Sequence, residues 1–374
     1  LKPGETVVPA WTFAAYGASS HAELVRQADN TREQLAAYVT SPTSDRFAQV
    51  IVNRVWQRYL GRGLIEPVDD WENKSPSHPE LLTWLARDFM ESGYDLKHLA
   101  RRIFNSHTYQ RVAGLSPPKS EEPEDRLFAS PARRRLAAEQ LVDSLFTVIG
   151  KPVDSEMLTL DNDAKSSAKD FLNLGYAHRA WQFTGLSNDR DRPALSMPKT
   201  QAIVDVLAMF GWRESRQGPR SVRDTSPNVL QPAVLANGDM GNGRIARLTD
   251  DCEVTELCLQ DQSLSGLVER LFVRVLSRPP TATERTKFVS YLEAGYRDRV
   301  VANAPRKLRK NFDGSQLLSW TNHLNAKASE IKYLVEEQAH QGDEPTARLK
   351  RDWRERTEDV LWALVNTPEF VFVP

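Results

Sequence analysis

Apolar residues recur along this chain at helical spacing. Between about Asp45 and Leu60, the residues Phe47, Ile51, Val55 and Tyr59 repeat every fourth position with Val52 and Trp56 beside them, while Gln49, Asn53 and Gln57 fall on the other side. Gly61 follows as the residue best able to end a helix in the left-handed conformation. A polar turn from Arg62 to Pro76, with an apolar knot at Leu64 and Ile65, leads to Ser77-His78-Pro79-Glu80. That spacing fits a capping box, in which the Ser77 oxygen accepts from the Glu80 N–H and the Glu80 carboxylate reaches back. The helix it would start turns Leu81, Leu82, Leu85 and Phe89 toward a core. Asp95 is placed to cap the next helix, whose Leu96, Leu99, Ala100, Ile103 and Phe104 sit at i, i+3, i+4, i+7 and i+8.

From Lys151 to about Asp250 the chain is rich in Gly, Pro, Asn and Asp, a composition of long ordered loops or a flexible excursion. One helix is predicted there over Lys199–Trp212 and a short one after Pro227. Periodicity returns with Leu264, Leu267, Val268, Leu271, Phe272, Val275 and Leu276 on one stripe, and Thr281 with Glu284 repeats the capping-box spacing. A long polar helix from about Ser315 to Gln341 and a last one bearing Trp353, Val360, Leu361 and Leu364 complete the pattern. No alternating run is long enough to build a sheet. The expectation is an all-α, multi-helix array in two packed lobes, with residues 1–150 and 251–374 as the lobes and 151–250 as a loop-rich middle segment.

The wording of several segments is that of a known family. The block from Phe47 to Arg111 (FAQVIVNRVWQRYLGRGLIEPVDDWENKSPSHPELLTWLARDFMESGYDLKHLARRIFNSHTYQR), RRRLAAEQLVDSLFTVIG at Arg133–Gly150, LVERLFVRVLSRPPTATE at Leu267–Glu284 and the closing DVLWALVNTPEFVFVP at Asp359–Pro374 carry it. Together they resemble the planctomycete-type domain of unknown function 1553. Lys151–Asp170 and Asn303–Gln316 depart from the family's pattern. The resemblance implies an exported protein, periplasmic or at the cell surface, in which this domain forms the C-terminal module, often beside a c-type cytochrome domain and a partner domain also of unknown function. It implies no reaction.

Composition narrows the classes. The 374 residues carry 49 basic and 50 acidic side chains for a net charge of −1, so no global field favours nucleic acid or an anionic surface. The best local candidate for a basic stripe, Arg306-Lys307-Leu308-Arg309-Lys310, reads as a solvated face or helix end. No stretch reaches the ~18–20 apolar residues of a membrane span. The chain opens at Leu1 without an initiating Met, which suggests a fragment or processed product of a longer protein. Cys252 and Cys258 form neither C-x-x-C nor C-x-x-C-H, so no haem or other cofactor is expected in this chain, and a disulfide between the two is left open; the resemblance alone allows haem c elsewhere in the parent protein. The seven His residues form no H-E-x-x-H and no i, i+4 pair, so no metal is expected. Asp161-Asn162-Asp163 lacks the Gly and Glu of a calcium loop, and Asn237-Gly238-Asp239-Met240-Gly241-Asn242-Gly243 reads as consecutive turns rather than a phosphate cradle.

The densest ionisable and aromatic cluster is the predicted loop holding Asp69, Asp70, Trp71, Glu72 and His78, backed by Arg54 and Arg58 on the preceding helix. Asp70, Glu72 and His78 are the candidates for acid–base work; Arg54, Asp69 and Trp71 are candidate ligand contacts, and an indole platform suits a sugar ring. Capping and loop-locking ion pairs account for the same residues without any chemistry. His178 and Trp181, in Tyr176–Trp181, are further ligand-binding candidates in a loop-rich setting. The three arginines Arg133, Arg134 and Arg135 precede Glu139 and Asp143, where intrahelical pairing is expected. Two functions follow. One is a non-catalytic helical scaffold or docking module whose partners are the other domains of the parent protein, a cytochrome among them. The other is a carbohydrate-active enzyme or oxidoreductase subunit using the Asp69–His78 loop, with glycan as its partner.

Overall fold

The computed structural model of the chain describes residues 24–27, 30–41, 44–113, 126–160, 169–170, 173–184, 197–212, 228–307 and 328–372. The Asp161–Asp163 run, Leu308–Lys310 of the basic run and the first part of the predicted polar helix, 315–327, lie outside these residues. The architecture is all-α, and two compact units divide it: Leu1–Arg134 with Pro374, and Arg135–Val373.

In the first unit, α1 (Thr31–Thr40), α2 (Asp45–Leu60), α3 (Pro79–Glu91) and α4 (Leu96–Phe104) follow one another in short steps. Gly61 ends α2 in the left-handed region as expected, and the Asp95 side chain accepts from Lys97 N–H to start α4. The buried face of α2 is turned from the expected one. Ala48, Val52, Trp56 and Leu60 pack fully against Leu82, Leu85, Ala86 and Phe89 of α3 and Leu99 and Ile103 of α4, whereas Phe47, Ile51, Val55 and Tyr59 flank this seam half-buried. Asn53, assigned by its polarity to the outer side, is wholly buried. Asp88 of α3 ties α4 down, accepting from Arg102 at 2.9 Å and facing His98 at 2.8 Å.

Ser77 does not cap α3. The helix begins at Pro79, the residue before it is His78, and no side chain caps it. The Ser77 backbone N–H and hydroxyl both donate to the Leu64 carbonyl, at 2.8 and 3.2 Å. The carbonyl accepts the hydrogen bonds that hold the long loop against the unit, and Pro79 at the first helical position leaves one fewer unpaired N–H at the start of α3.

The second unit holds α5 (Ala138–Ile149), a small antiparallel ribbon of β1 (Leu158–Thr159) and β2 (Asn173–Gly175), α6 (Trp181–Thr184), α7 (Pro198–Met209), α8 (Leu230–Asn237) and a π-helical turn at Gly241–Ile245. Then come α9 (Glu253–Leu259), α10 (Leu264–Leu276), α11 (Ala282–Glu293), α12 (Ala328–Gln341) and α13 (Arg351–Val365). One apolar core runs through it. Leu267, Val268, Leu271 and Phe272 of α10 meet Trp353, Leu361 and Leu364 of α13 and Leu141 and Leu145 of α5 there. The described parts of 151–250 are built into this same core, Ile203, Val206 and Leu207 of α7 among them. The α7 N-terminus is capped by a buried carboxylate, since Glu156 accepts from Lys199 N–H, Thr200 N–H and Thr200 Oγ1–H at 3.0, 2.8 and 2.8 Å. Cys252 and Cys258 are buried free thiols, and burial raises the Cys258 pKa well above its ordinary value.

Two of the arginines before α5 reach beyond that helix. Arg134 Nη1 donates to the Arg58 carbonyl within the first unit, and Arg135 Nη1 donates to Gln231 Oε1 at 2.8 Å in the second. Asp143 accepts from the Ala180 N–H at 2.8 Å. Arg135 enters a pairing with Phe372, Arg135 and Phe372 forming an isolated antiparallel bridge.

Thr281 and Glu284 form the expected capping box on α11. Glu284 and Glu369 also share the Arg278 guanidinium, with contacts of 2.9 and 2.7 Å. Arg278, aided by Thr281, outweighs burial and holds Glu284 down from 4.5 to about 2. A depressed carboxylate stabilises the fold fully above its unfolded pKa, and that contribution is lost as pH falls from 4.5 through about 2. Arg278→Gln is therefore expected to lower the melting temperature at pH 7 by a margin that shrinks by pH 2, as read by paired thermal melts. An equal margin at both pH values would show the pairing to be without effect.

Candidate functional site

The loop between α2 and α3 is suspended from one side chain. Asn53 Nδ2–H donates to the Ile65 carbonyl at 2.9 Å and Asn53 Oδ1 accepts from the Ile65 N–H at 3.0 Å, so a single amide satisfies both backbone groups of a buried residue. Gly63 permits that approach. A Cβ at this position would lie 2.6 Å from the Ile65 oxygen and 3.0 Å from Asn53 Oδ1. The Leu64 carbonyl, facing the other way, receives the two donors of Ser77 and Arg126 Nη1–H at 3.4 Å.

The candidate residues of this loop are distributed along it. Asp69 is exposed and pairs with Arg54 at 2.5 Å. Asp70 accepts from the Glu72 N–H at 3.2 Å, the turn that short acidic side chains make with their own backbone, and both carboxylates are exposed. Trp71 is buried, its Nε1–H donating to the Val68 carbonyl at 2.9 Å while Arg46 stacks 4.1 Å over its ring. It works as a strut, and its face is not open as a platform. His78 is half-buried with Nδ1 3.1 Å from Ser77 Oγ and its ring edge-on to Phe128. Arg54 and Asp69 are brought together; among the described residues the side chains of Asp70, Glu72 and His78 form no hydrogen bond or ion pair with one another. His178 and Trp181 belong to the second unit, both exposed, in a turn where Gln182 Oε1 accepts from the N–H groups of His178 and Arg179.

The second unit holds an open groove of about 620 Å³. One wall is the polar stripe of α13, where Glu355, Glu358, Asp359 and Trp362 fall at i, i+3, i+4 and i+7. Opposite stand the end of α8 and the π-helical turn, through Asn237, Asp239, Asn242 and Arg247, and the end of α12 adds His340 and Gln341. His340 Nδ1 meets Asp239 at 2.8 Å. Burial raises the Glu358 carboxyl above its usual range, against the Leu248 N–H it accepts at 2.9 Å and the nearby Arg354 and Arg247. Glu355, held by Arg351 at 2.8 Å, is lowered. The Tyr291 hydroxyl donates to Asp359 at 2.8 Å, and Trp362 Nε1–H donates to the Ala236 carbonyl at 3.0 Å.

Two devices fix the groove's walls. Gly342, at φ 73°, crosses Gly243 so closely that a Cβ on it would lie 2.3 Å from the Gly243 oxygen, and the Asp343 N–H donates to that oxygen at 2.9 Å. Beneath the crossing, the buried Lys151 ammonium donates to the carbonyls of Arg244 and Arg247 at 2.5 and 2.7 Å and to Asp343 Oδ2 at 3.0 Å. All three ammonium protons are satisfied, which makes this buried charge tolerable. Among the described residues no group of three or more His, Cys, Asp or Glu is arranged to hold a metal, and no helix is long and apolar enough to cross a membrane.

Residues 31–292 match the family described as "Protein of unknown function (DUF1553)". The chain belongs to the DUF1553 family. No curated protein and no solved structure matches it. The DUF1553 match runs from α1 into α11, so it includes the Asn53 clasp and the α8 and π-helical wall of the groove; α12, α13 and the closing segment from Asp359 lie beyond it. Two signals for the groove stood in the sequence. The Asn237–Gly243 run marks a tight backbone crossing, and the stripe of α13 opposite its apolar face is acidic and aromatic. Only folding joins them, across more than a hundred residues.

Replacing Asn53 by Ala strands the Ile65 N–H and carbonyl in the interior and is expected to destabilise the protein by about 2–4 kcal/mol. Ser77→Ala removes one of three donors to the Leu64 carbonyl and is expected to cost no more than about 1 kcal/mol. Denaturant titrations of both variants measure this, and equal losses would mean that the Asn53 clasp does not hold the loop.

Proposed function

We propose that this DUF1553 chain is a non-catalytic helical scaffold or docking module of a larger exported, cytochrome-associated protein. The observation that supports it is the engagement of the loop between α2 and α3 in holding itself together. Arg54 ties down Asp69, Trp71 braces Val68, Asp70 turns the backbone at Glu72, and Ser77 secures Leu64. Side chains committed in this way form a stiff surface suited to carrying other domains. Export and the cytochrome partner rest on the family resemblance carried by the Phe47–Arg111 block, and haem belongs, on this reading, to another part of the parent protein.

The test uses the intact parent protein, assayed on a glycan panel with artificial electron acceptors, and the variants Asp70→Ala and His78→Ala. Each is expected to lower stability slightly, by about 0.5–1 kcal/mol, and to leave the parent's binding and turnover intact. Loss of turnover at an unchanged melting temperature would overturn the scaffold reading in favour of an enzyme that uses Asp70, Glu72 or His78.

A further inference from the structure

The groove of the second unit is independent of the scaffold reading, because none of its residues lies in the α2–α3 loop. We propose that it binds a neutral saccharide chain, with Trp362 as the stacking surface and Asn237, Asn242 and Gln341 among its hydrogen-bonding groups. The argument is one of charge, bonding capacity and shape.

Charge removes two ligand classes. Four carboxylates, Asp239, Glu355, Glu358 and Asp359, line the groove against Arg247 and His340, so an anion would meet a repulsive wall. Yet none of the four stands alone. Asp239 faces His340, Glu355 faces Arg351, Glu358 lies 3.4 Å from Arg354 and 3.9 Å from Arg247, and Asp359 accepts from Tyr291. At three of the four, a cation would compete with a basic partner already in place. The lining is too polar for an apolar ligand, which would leave those groups dry and unmatched.

What remains is an uncharged molecule dense in groups that both donate and accept. Carboxylates bonded through one oxygen keep acceptor capacity on the other, and among the described residues Glu358 Oε2 accepts no hydrogen bond. Exposed Asn237, Asn242 and Gln341 supply amides that both donate and accept, Gln341 Nε2 lying 3.5 Å from Glu337 on the same helix. A sugar hydroxyl answers both. Trp362 is 36% exposed, and its ring is oriented by the Nε1–H bond to Ala236. An indole face with negative quadrupole suits the weakly positive C–H face of a pyranose. The volume lies within the ~300–1,000 Å³ of small-ligand sites, and the open form leaves room for a chain to continue past the groove. The glycine crossing and the Lys151 clamp hold the walls before any ligand arrives, which lowers the ordering cost of binding.

The experiment is calorimetric titration of the full chain with the neutral hexasaccharides of β-1,4-glucose, α-1,4-glucose, β-1,3-glucose, β-1,4-mannose and β-1,4-xylose, and with spermidine and inorganic sulfate as charged probes. At least one hexasaccharide is expected to saturate, and Trp362→Ala and Asn242→Ala are each expected to weaken it by ~tenfold or more, the loss typical of a central contact. Asn242 is exposed, so its variant keeps the fold if Trp362→Ala does not, and melting curves of both establish that. Saturation by none of the five, binding indifferent to Asn242→Ala in the folded protein, or uptake of spermidine or sulfate that the same variants abolish would each overturn the proposal.

Discussion

The amide of Asn53 is the interaction on which the first unit depends. A loop as long as the one between α2 and α3 carries backbone donors and acceptors that have no strand or helix to satisfy them, and burying any of them without a partner costs about 1–3 kcal/mol. Asn53 resolves this by presenting a donor and an acceptor to Ile65 together, in the pattern a neighbouring strand would use. Leu64 and Ile65 can then enter the core beside Trp56 and Leu82. Every other fastening of the loop follows from that placement. The Leu64 carbonyl points back to collect Ser77, and Ser77 delivers the chain to Pro79 at the start of α3.

The second unit is ordered by a different constraint, the close passage of two backbones at Gly243 and Gly342. Side chains there would force the end of α12 away from the π-helical turn. The crossing in turn places the carbonyls of Arg244 and Arg247 where Lys151 reaches both, together with Asp343. π-helical turns disrupt the regular backbone ladder and are found disproportionately beside functional sites. Here the disruption supplies carbonyls to a buried cation on one side and Asn242 to a groove on the other.

The two clusters of ionisable residues therefore contrast in kind. In the α2–α3 loop, charges and aromatics are dispersed over the surface or turned inward as struts, and Asp69, Asp70 and Trp71 are each taken up by a structural contact. In the groove, four carboxylates share one concave surface in which burial raises Glu358 and Arg351 lowers Glu355. Crowding along the sequence picks out the first cluster, and crowding in space picks out the second. A loop collects Asp, Asn and Ser because those residues bond their own backbone, so density in a loop is weak evidence of a ligand.

Periodicity was enough to determine the helical class, the extents of α2 and α10, the Gly61 terminus, the Asp95 cap and the capping box at Thr281, because each of these is set by neighbours within a turn or two of chain. It placed the buried face of α2 one position away from the true one, since Ala48 scores as weakly apolar and Asn53 as polar, and only the packing against α3 and the loop reveals that both are inside. Ser77 shows the same limit. Its spacing to Glu80 satisfies a local motif, but the Leu64 carbonyl thirteen residues earlier is the partner it takes. The assembly of the groove was beyond local reading, although the Asn237–Gly243 run and the α13 stripe each marked one wall, for its walls come from residues 237–247, 340–341 and 355–362. The sequence by itself thus determined the helical class, the course of its most periodic helices and three of their ends, at Gly61, Asp95 and Thr281, since those depend on short-range hydrogen bonds and side-chain spacing. Which polar side chains go inside and which carboxylates meet was decided only by the tertiary structure, because both depend on distances that chain separation does not encode.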